Sequence, residues 1–462
     1  MDTSYCLDSS NVAVDARPRI CRGVWMSALF LAATAIPRSG DASQLFTLRN
    51  AIDTALQRSY VIEVGKNEIA NAEIGVREAV QQFLPDLRLS ASAQRYYGRF
   101  FSDIDGRIVD QSTDSVFLSA GSSISLFNGF RDVSVLRAAR SSRDAEAARF
   151  ARSRERLVLV VLTNYLGLLQ EREQLRVMRE NQLAQSKLLD QVKVYVEGGT
   201  RTTADLYSQE AALAKANVAV VDSMRSSESA VVELIRALNL DPREQYEFVD
   251  VGEPTSSVDL SEPFEVLAAA ALATRKDLLA QEARVTAALA NVRVAKAAYW
   301  PTLALDSSYG SGFTSVPALT QSEQLNLNRT GSVGITMSVP IFDRGAAHSA
   351  SLRSALQAQR ARIELENTRR EVELEVRTAI QELRSAAAQL QAVELQQRAA
   401  SMAVEAQDVK YEAGASTLVE LAQAQAAWVE AQSAVVDAKY NMSVRRAYLR
   451  YAVGSLSAET LF

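Results

Sequence analysis

The chain is poor in the residues that build most catalytic and metal sites. Among 462 residues it has two cysteines and one histidine. Cys6 and Cys21 both fall in an N-terminal segment that we expect to be removed, so the mature chain has no disulfide and no reactive thiolate. With His348 as the only histidine, neither a Ser-His-Asp triad nor a usual zinc site is possible. We therefore predict no catalytic, cofactor or metal site.

Neither positive nor negative charge is in large excess. The 50 Lys and Arg nearly balance the 55 Asp and Glu, which leaves a net charge of −5. The chain thus lacks the strongly basic surface of a nucleic-acid-binding protein, and we expect no nucleic-acid partner. Glycine-rich phosphate-binding motifs are missing as well.

Residues 1–42 have the pattern of a signal peptide. Arginines precede the apolar run VWMSALFLAATAI, whose length fits the roughly 7–15 residues of a signal h-region. The alternative, an inner-membrane anchor, needs a run of about 20 residues. Gly40 and Ala42 form a small-x-small cleavage pattern, so we expect export with cleavage before Ser43.

Prolines are few, and beyond the signal none lies in 86–241 or 341–462. Because proline inside a helix costs about 3 kcal/mol, these stretches can hold very long helices. Apolar periodicity predicts a long helical hairpin over 129–240 and another over 344–453. The first helix of each would be about 100 Å long.

A shorter helix and two strands precede each hairpin. The helices are predicted over about 48–83 and 264–299. Each strand has one apolar and one small polar face, and the four strands are predicted at 86–97, 115–127, 301–311 and 331–342. The polar segments between them, 99–114 and 311–328, are predicted to be solvent loops. We expect the apolar face to contact lipid through Val116, Leu118, Ile124, Leu126, Val333, Ile335, Met337 and Val339.

The same unit occurs twice. A G-x-x-T-x-x-[DE]-L pattern begins at Gly199 and again at Gly414, 215 residues later. The sequence therefore divides into a signal, a repeat, a linker, a second repeat and a tail, at 1–42, 43–240, 241–262, 263–455 and 456–462. The shared turn residues are Gly199, Thr202, Leu206, Gly414, Thr417 and Leu421.

The strands suggest two environments. About ten residues are enough to cross a bilayer at a tilt, and the two faces suit a barrel between lipid and water. Four strands cannot close a barrel, and unpaired edges are not tolerated in lipid. Either several chains combine their strands into one barrel, or two β-hairpins cap a soluble coiled coil.

The layout resembles the TolC family of outer-membrane efflux ducts over residues 45–455. Three kinds of paired segment carry the likeness: the turn pattern at Gly199 and Gly414, LPDLRL and WPTLAL at the starts of strands, and FNG and FDRG at the ends of strands. A further segment is RKDLLAQE at 275–282, where Lys276 replaces the usual proline. The resemblance implies a mainly α-helical homotrimer. Four strands per chain would form one twelve-stranded outer-membrane barrel above a tapered periplasmic tunnel of helices, with the linker and tail around its middle.

The resemblance also implies that the turns form the periplasmic gate and the docking site for an adaptor. The gate residues would be Arg201, Asp205, Tyr411, Glu420 and Gln423. Glu420 lies where the family has an acidic ring, and Gln423 where a second acid is common. Asp205 and Glu420 also fit helix capping boxes. Tyr411 matches a tyrosine of the closed gate. Our hypothesis is that Arg201, which corresponds to Ser416 of the second turn, pairs with Glu420 or Asp205 of a neighbouring hairpin.

The leading expectation is a passive exit duct in the outer membrane with a long periplasmic extension. It would take small toxic compounds from a periplasmic membrane-fusion adaptor and an inner-membrane RND or ABC pump. One alternative is the exit channel of a type I protein-secretion system. The other, from a different class, is a soluble periplasmic coiled-coil scaffold.

Overall fold

The structure, a computed structural model, describes residues 44–102, 106–110, 112–249, 262–315 and 319–457. The predicted signal peptide lies outside the described residues. So do residues 250–261 of the predicted linker and 458–462 of the predicted tail.

Most of the described chain is helical. The first half contains β1 (Gln44–Phe46), α1 (Leu48–Arg58), α2 (Tyr60–Gln81), β2 (Arg88–Tyr96), β3 (Arg99–Ser102), β4 (Arg107–Asp110), β5 (Thr113–Phe127), α3 (Arg131–Glu197) and α4 (Thr203–Leu238). The second half contains β6 (Tyr246–Phe248), α5 (Phe264–Thr274), α6 (Lys276–Lys296), β7 (Thr302–Thr314), α7 (Gln321–Leu327), β8 (Thr330–Ser338), α8 (Ala346–Glu412) and α9 (Leu418–Val453). None of the described helices combines the length and the hydropathy of a membrane span.

The two halves repeat each other residue by residue in the long hairpins. Helices α3 and α8 each have 67 residues, and α4 and α9 each have 36. Left-handed backbone conformations also occur at matched positions, in the pairs Gly129 and Arg344, Phe130 and Gly345, Gly199 and Gly414, and Asn239 and Gly454. The duplication is therefore present in the backbone as well as in the sequence.

Each shorter helix is broken once, which differs from the single helices expected over 48–83 and 264–299. Ser59 and Arg275 have extended ψ angles of 136° and 127°. At the first break the Asn239 side chain donates to the carbonyl of Arg58 at 2.9 Å. Contacts with the end of a distant helix thus replace local helical hydrogen bonds, and apolar periodicity contains no signal for them.

At the second break, Arg275 is a buried arginine whose guanidinium donates four hydrogen bonds. Its residue exposure is 5%. The guanidinium donates to both carboxylate oxygens of Asp277 at 3.1 and 2.6 Å, to Glu375 at 2.5 Å and to the carbonyl of Ala452 at 3.1 Å. Because bidentate and charge-assisted bonds are strong, Arg275 joins α6 and α8 to the end of α9.

A four-stranded antiparallel sheet combines both repeats in the order β2-β5-β7-β8. Leu118 lies opposite Ala91 and Ser311, and Leu305 lies opposite Ile124 and Ile335. Since directly paired residues point to the same face, this register gathers one apolar face, composed of Leu89, Ala91, Ala93, Val116, Leu118, Ile124, Leu303, Leu305, Val333, Ile335 and Met337. The opposite face is small and polar, with serine hydroxyl pairs across strands.

Two of the expected apolar-face residues lie outside the regular ladder. Ser125 pairs with Ala304 and Phe127 with Leu303, so Leu126 is the extra residue of a β-bulge. By its register Phe127 joins the apolar face at this point. Val339 follows the end of β8. A bulge is set by pairing between strands and cannot be read from alternation within one strand.

The segments expected to be solvent loops are partly ordered into elements. In the first, β3 and β4 form a hairpin. In the second, α7 begins with a capping box between Thr320 and Glu323. The buried Gln324 side chain accepts from the Thr314 amide at 2.8 Å and donates to its carbonyl at 3.0 Å. The polar composition of this segment predicts a loop. In the structure, the side-chain amide of Gln324 makes hydrogen bonds of the kind that a neighbouring strand makes, and a polar residue in that role has the same composition as a loop.

The main core surrounds the middle of α3, where β1 and β6 pair in parallel. Phe46 and Phe248 pack there beside Tyr165. The Tyr165 hydroxyl donates to the carbonyl of Phe46 at 3.0 Å. The described start of the linker is therefore fixed to the N-terminal strand and to the middle of α3.

We expect Arg275→Met to destabilise the chain by about 3 kcal/mol, because two partly buried carboxylates lose the guanidinium that donates to both of them. Burial acts to raise the pKa of Asp277, but hydrogen bonding and charge attraction from Arg275 lower it overall. Since the folded-state pKa is lowered, this stabilisation is present above the unfolded pKa and is lost as pH falls through the folded pKa. Chemical unfolding of the purified protein at neutral and acidic pH measures both effects.

The matched control is Arg176→Met, which removes an arginine that is 55% exposed and pairs with Glu173 and Glu180. It should cost about 1 kcal/mol or less. Equal losses in the two variants, or a loss at Arg275 that does not change with pH, would contradict the structural role given to Arg275.

Candidate functional site

The two helical turns between the long helices have the same backbone. Gly199 and Gly414 have φ angles of +74° and +72°, which glycine adopts without strain. The amide of Thr200 donates to the Tyr195 carbonyl at 2.9 Å, and that of Ala415 to the Lys410 carbonyl at 2.8 Å. These are helix C-terminal Schellman bonds, and they explain the glycine in each turn pattern.

Each turn is followed by a complete capping box. Thr202 and Asp205 satisfy each other's backbone amides at 3.3 and 3.1 Å. Thr417 and Glu420 do the same at 3.3 and 2.9 Å, and the Ser416 hydroxyl adds a bond to Glu420 at 2.8 Å. The bond from the Thr417 amide, and then that from Ser416, lowers the pKa of Glu420. Both predicted gate carboxylates are thus helix caps in this chain.

An apolar cluster joins the two turns side by side. Its buried residues are Leu188, Val192, Tyr411, Leu418 and Leu421, with Tyr195, Val196 and Leu206 partly buried around them. The rings of Tyr195 and Tyr411 meet edge to face at a centroid distance of 6.4 Å. The structure therefore brings together Leu206, Leu421 and Tyr411, three residues that the sequence analysis assigned to the turns and the gate.

Arg201 crosses from the first turn to the second. Its guanidinium lies over the Tyr411 ring, 4.5 Å from the centroid, and donates to the carbonyls of Ser416 at 3.2 Å and Tyr411 at 3.5 Å. We expected pairing with Glu420 or Asp205 of a neighbouring hairpin. Within the chain, Arg201 binds backbone carbonyls instead, because both carboxylates already accept from turn amides.

The Tyr411 hydroxyl is buried and has no hydrogen-bond partner among the described residues. Burial raises its pKa, and the nearby guanidinium of Arg201 opposes that rise. A buried donor without a partner costs free energy. The packing around Tyr411 is therefore less stable than the same packing with that hydroxyl bonded.

A polar contact that the sequence analysis missed lies below the turns. The buried Gln209 side chain donates to the side-chain oxygen of Gln185 at 2.8 Å, and Gln185 donates to Gln425 at 3.0 Å. These glutamines join α3, α4 and α9. The available signal was Gln185, a polar residue inside the apolar stripe 175–189. Gln423, a predicted gate residue, is exposed on α9.

The described residues contain no group of three His, Cys, Asp or Glu side chains that could hold a metal ion. The second distinctive surface is the apolar face of the sheet, where Val333, Ile335 and Met337 are 78%, 65% and 63% exposed. An exposed apolar patch of this kind marks a contact with lipid or with another chain. The chain thus has an apolar sheet at one end of each long hairpin and a polar-capped turn at the other.

A comparison with protein-family models matches residues 51–240 and 267–455 to the outer membrane efflux protein family. The pyoverdine export outer membrane protein OpmQ of Pseudomonas putida is 30% identical over 327 residues, which are 66% of this chain and 64% of that protein. The OpmQ protein of Pseudomonas aeruginosa is 26% identical over 314 residues, with the same shares. The chain therefore spans slightly less than two thirds of the length of these relatives.

Solved structures show the same fold. The outer membrane protein VceC of Vibrio cholerae has a TM-score of 0.76 at 18% identity, over 88% of this chain and 96% of that chain. The outer membrane channel CmeC of Campylobacter jejuni has a TM-score of 0.76 at 17% identity, over 88% and 85%. With most of both repeats matched, the chain belongs to the outer membrane efflux protein family, whose members are transport channels and not enzymes.

Proposed function

We propose that the chain is the outer-membrane exit duct of a tripartite efflux system and works as a homotrimer. Membership of an outer-membrane family argues against the soluble scaffold. The observation that carries the proposal is the position of the sheet, which has an exposed apolar face, at one end of hairpins whose first helices have 67 residues. In this proposal residues 1–42 are removed on export, and 241–262 and 456–462 surround the middle of the tunnel.

The sheet supports the proposed assembly because both of its edge strands have an unpaired edge. Among the described residues, strands β2 and β8 each pair with one other strand, so each leaves a row of backbone N–H and C=O groups unpaired there. In lipid such edges must be paired. Three copies contribute twelve strands, enough to close one barrel with the apolar face outward and the small polar face lining a water-filled bore.

The length of the helices supports the proposed adaptor and pump as partners. A 67-residue helix is about 100 Å long, so the turns lie far from the membrane, where a periplasmic adaptor and an inner-membrane RND or ABC pump can be reached. A trimer presents six similar turns in a ring. The turn residues Gly199, Thr202, Gly414 and Thr417 then form the adaptor-docking surface.

We assign passive conduction of small toxic compounds, because no described part of the chain carries an energy-coupling site. The relatives named for pyoverdine export support an outward direction of transport. Selectivity would come from the pump and adaptor. The duct would supply bore, gate and docking surface.

The gate in this proposal is the contact of Arg201 with the second turn. One guanidinium binds two carbonyls and one aromatic face, and a trimer has three such contacts around its aperture. Opening the aperture moves the turns, so these bonds must either break or move together with both turns. Since a hydrogen bond from a charged group contributes roughly 1.5–3 kcal/mol, three together can bias the closed state.

Arg201→Met should raise the conductance of the isolated channel in planar bilayers, because the closed state loses its charge-assisted contacts. Amide exchange in residues 413–421 should become about ten-fold faster, the equivalent of ~1.4 kcal/mol per turn. The control is Arg225→Met on α4, an arginine with a side chain 76% exposed. Unchanged conductance and exchange in Arg201→Met would remove Arg201 from the gate.

Photo-crosslinking from Ala415, beside the second turn, should capture the partner proteins in living cells. The proposal expects a periplasmic adaptor of a drug or metal pump, identified by mass spectrometry. A crosslinker at Val218, an exposed position on α4, is the control for capture away from the turn. Capture with an ABC exporter and a secreted protein would replace efflux with type I secretion. Equal capture at both positions, or none, would contradict docking at the turns.

A further inference from the structure

The helix break at Ser59 opens a cavity between the start of α2, the middle of α3 and the end of α4. Its volume is about 470 Å³, within the roughly 300–1,000 Å³ that small-molecule sites have. Part of its wall is polar and includes Ser59, Arg156 and Arg236. The rest is apolar and includes Val61, Leu157, Val160 and Ala237. The cavity therefore suits a small molecule with one polar and one apolar part.

The polar wall has hydrogen-bond donors without acceptors. Ser59 is the N-cap of α2, but its side chain makes no capping bond. The residue is only 5% exposed, and its hydroxyl has no partner among the described residues. The amides of Tyr60 and Val61, the first two of a 22-residue helix, also have no acceptor there. Free amides at a helix N-terminus favour a negatively charged group.

Two arginines add positive charge to the same wall. Arg156 on α3 has neither a hydrogen bond nor an ion pair among the described residues. Arg236 on α4 uses Nη1 to donate to Glu233 at 2.8 Å, and its other nitrogens remain available. The planar guanidinium matches the geometry of carboxylate and phosphate oxygens. The donors of three helices thus meet at one cavity that lacks their acceptor.

The second repeat shows what occupies the equivalent helix start. Helices α2 and α6 match at an offset of 216 residues, so Val61 corresponds to Asp277. The Asp277 carboxylate accepts from the amide of Leu278 at 3.1 Å and from the guanidinium of Arg275 at 2.6 Å. The second repeat therefore supplies its own anion at this helix start, and the first repeat has an apolar side chain in its place.

Charges on the long helices differ in the same way. Helices α3 and α8 match at an offset of 215 residues, so Arg156 corresponds to Glu371 and Val160 to Glu375. In the second repeat Glu375 accepts from Arg275 at 2.5 Å. The second break is thus closed by ion pairs within the chain. The first break has the positive charge of Arg156 and no internal anion to pair with it.

The cavity lies on the side of α3 opposite to the strands β1 and β6. Tyr165 faces those strands, since its hydroxyl donates to the carbonyl of Phe46. Arg156 precedes Tyr165 by nine residues, and at about 100° per residue the two side chains leave the helix on opposite sides. In the proposed duct the linker surrounds the tunnel from outside. The side with Arg156 then lines the bore.

We propose that this cavity binds amphipathic anions, with the carboxylate, phosphate or sulfonate group at Ser59 and Arg156 and the apolar part against Leu157 and Val160. The inference rests on the proposed duct and names a substrate class for it. The cavity is a binding site within the bore for such compounds in transit. Tyr60 at its mouth is 74% exposed, so a ligand can enter and leave.

Binding of 2-naphthoate to the purified protein in lipid nanodiscs tests the site by titration calorimetry, with 2-naphthamide as the uncharged probe. Naphthoate should bind about ten-fold more tightly than the amide, since the charged group gains charge-assisted hydrogen bonds. Arg156→Gln should weaken naphthoate binding by about ten-fold and leave binding of the amide unchanged. Ser59→Ala should cause a smaller loss of affinity and no loss of thermal stability, because its hydroxyl caps nothing.

The matched control is Arg154→Gln, which removes an arginine from the other side of α3 and should bind naphthoate as the unmodified protein does. Equal losses in Arg154→Gln and Arg156→Gln would overturn the site, and so would equal affinities for naphthoate and naphthamide. Competition by inorganic phosphate that is as strong as that by naphthoate would overturn the amphipathic class, because the apolar wall would then contribute nothing.

Currents through the channel in planar bilayers separate the site from the proposed function. Naphthoate should reduce the current of the unmodified protein and reduce that of Arg156→Gln less. If the protein forms no pore, the proposed duct falls, while calorimetry still decides whether the cavity binds anions. If the pore conducts and bound naphthoate does not change its current, the cavity does not face the bore and its role in transit is overturned.

Discussion

The unpaired edges of the four-stranded sheet are the constraint on which the rest of the molecule depends. Backbone N–H and C=O groups on one side of β2 and of β8 have no partner strand in the described part of the chain. The sheet cannot curl onto itself, since four strands are too few to close a barrel. In the proposed homotrimer other copies pair these edges, and the helices that continue from the strands are brought together with them.

The long hairpins and the duplication could be predicted from sequence because both leave direct signals. Proline is absent where a helix must be uninterrupted, and glycine recurs where a left-handed turn must form. The helix breaks at Ser59 and Arg275 left no such signal. They depend on hydrogen-bond partners more than 170 positions away. At the first break the Asn239 side chain donates to the carbonyl of Arg58, and at the second the carbonyl of Ala452 accepts from Arg275. The bulge at Leu126 is likewise a property of two strands and not of one.

The candidate site also contains features that could be predicted from sequence and features that could not. Thr202 and Thr417 were identified as caps because a capping box is local, and the structure has both boxes complete. Charge alone favoured a carboxylate of a neighbouring hairpin as the partner of Arg201, and that pairing stays a prediction. Local capping had already used both carboxylates, so the guanidinium binds the carbonyls of Tyr411 and Ser416. A nearby unlike charge is a poor guide to pairing when backbone donors compete for the same oxygens.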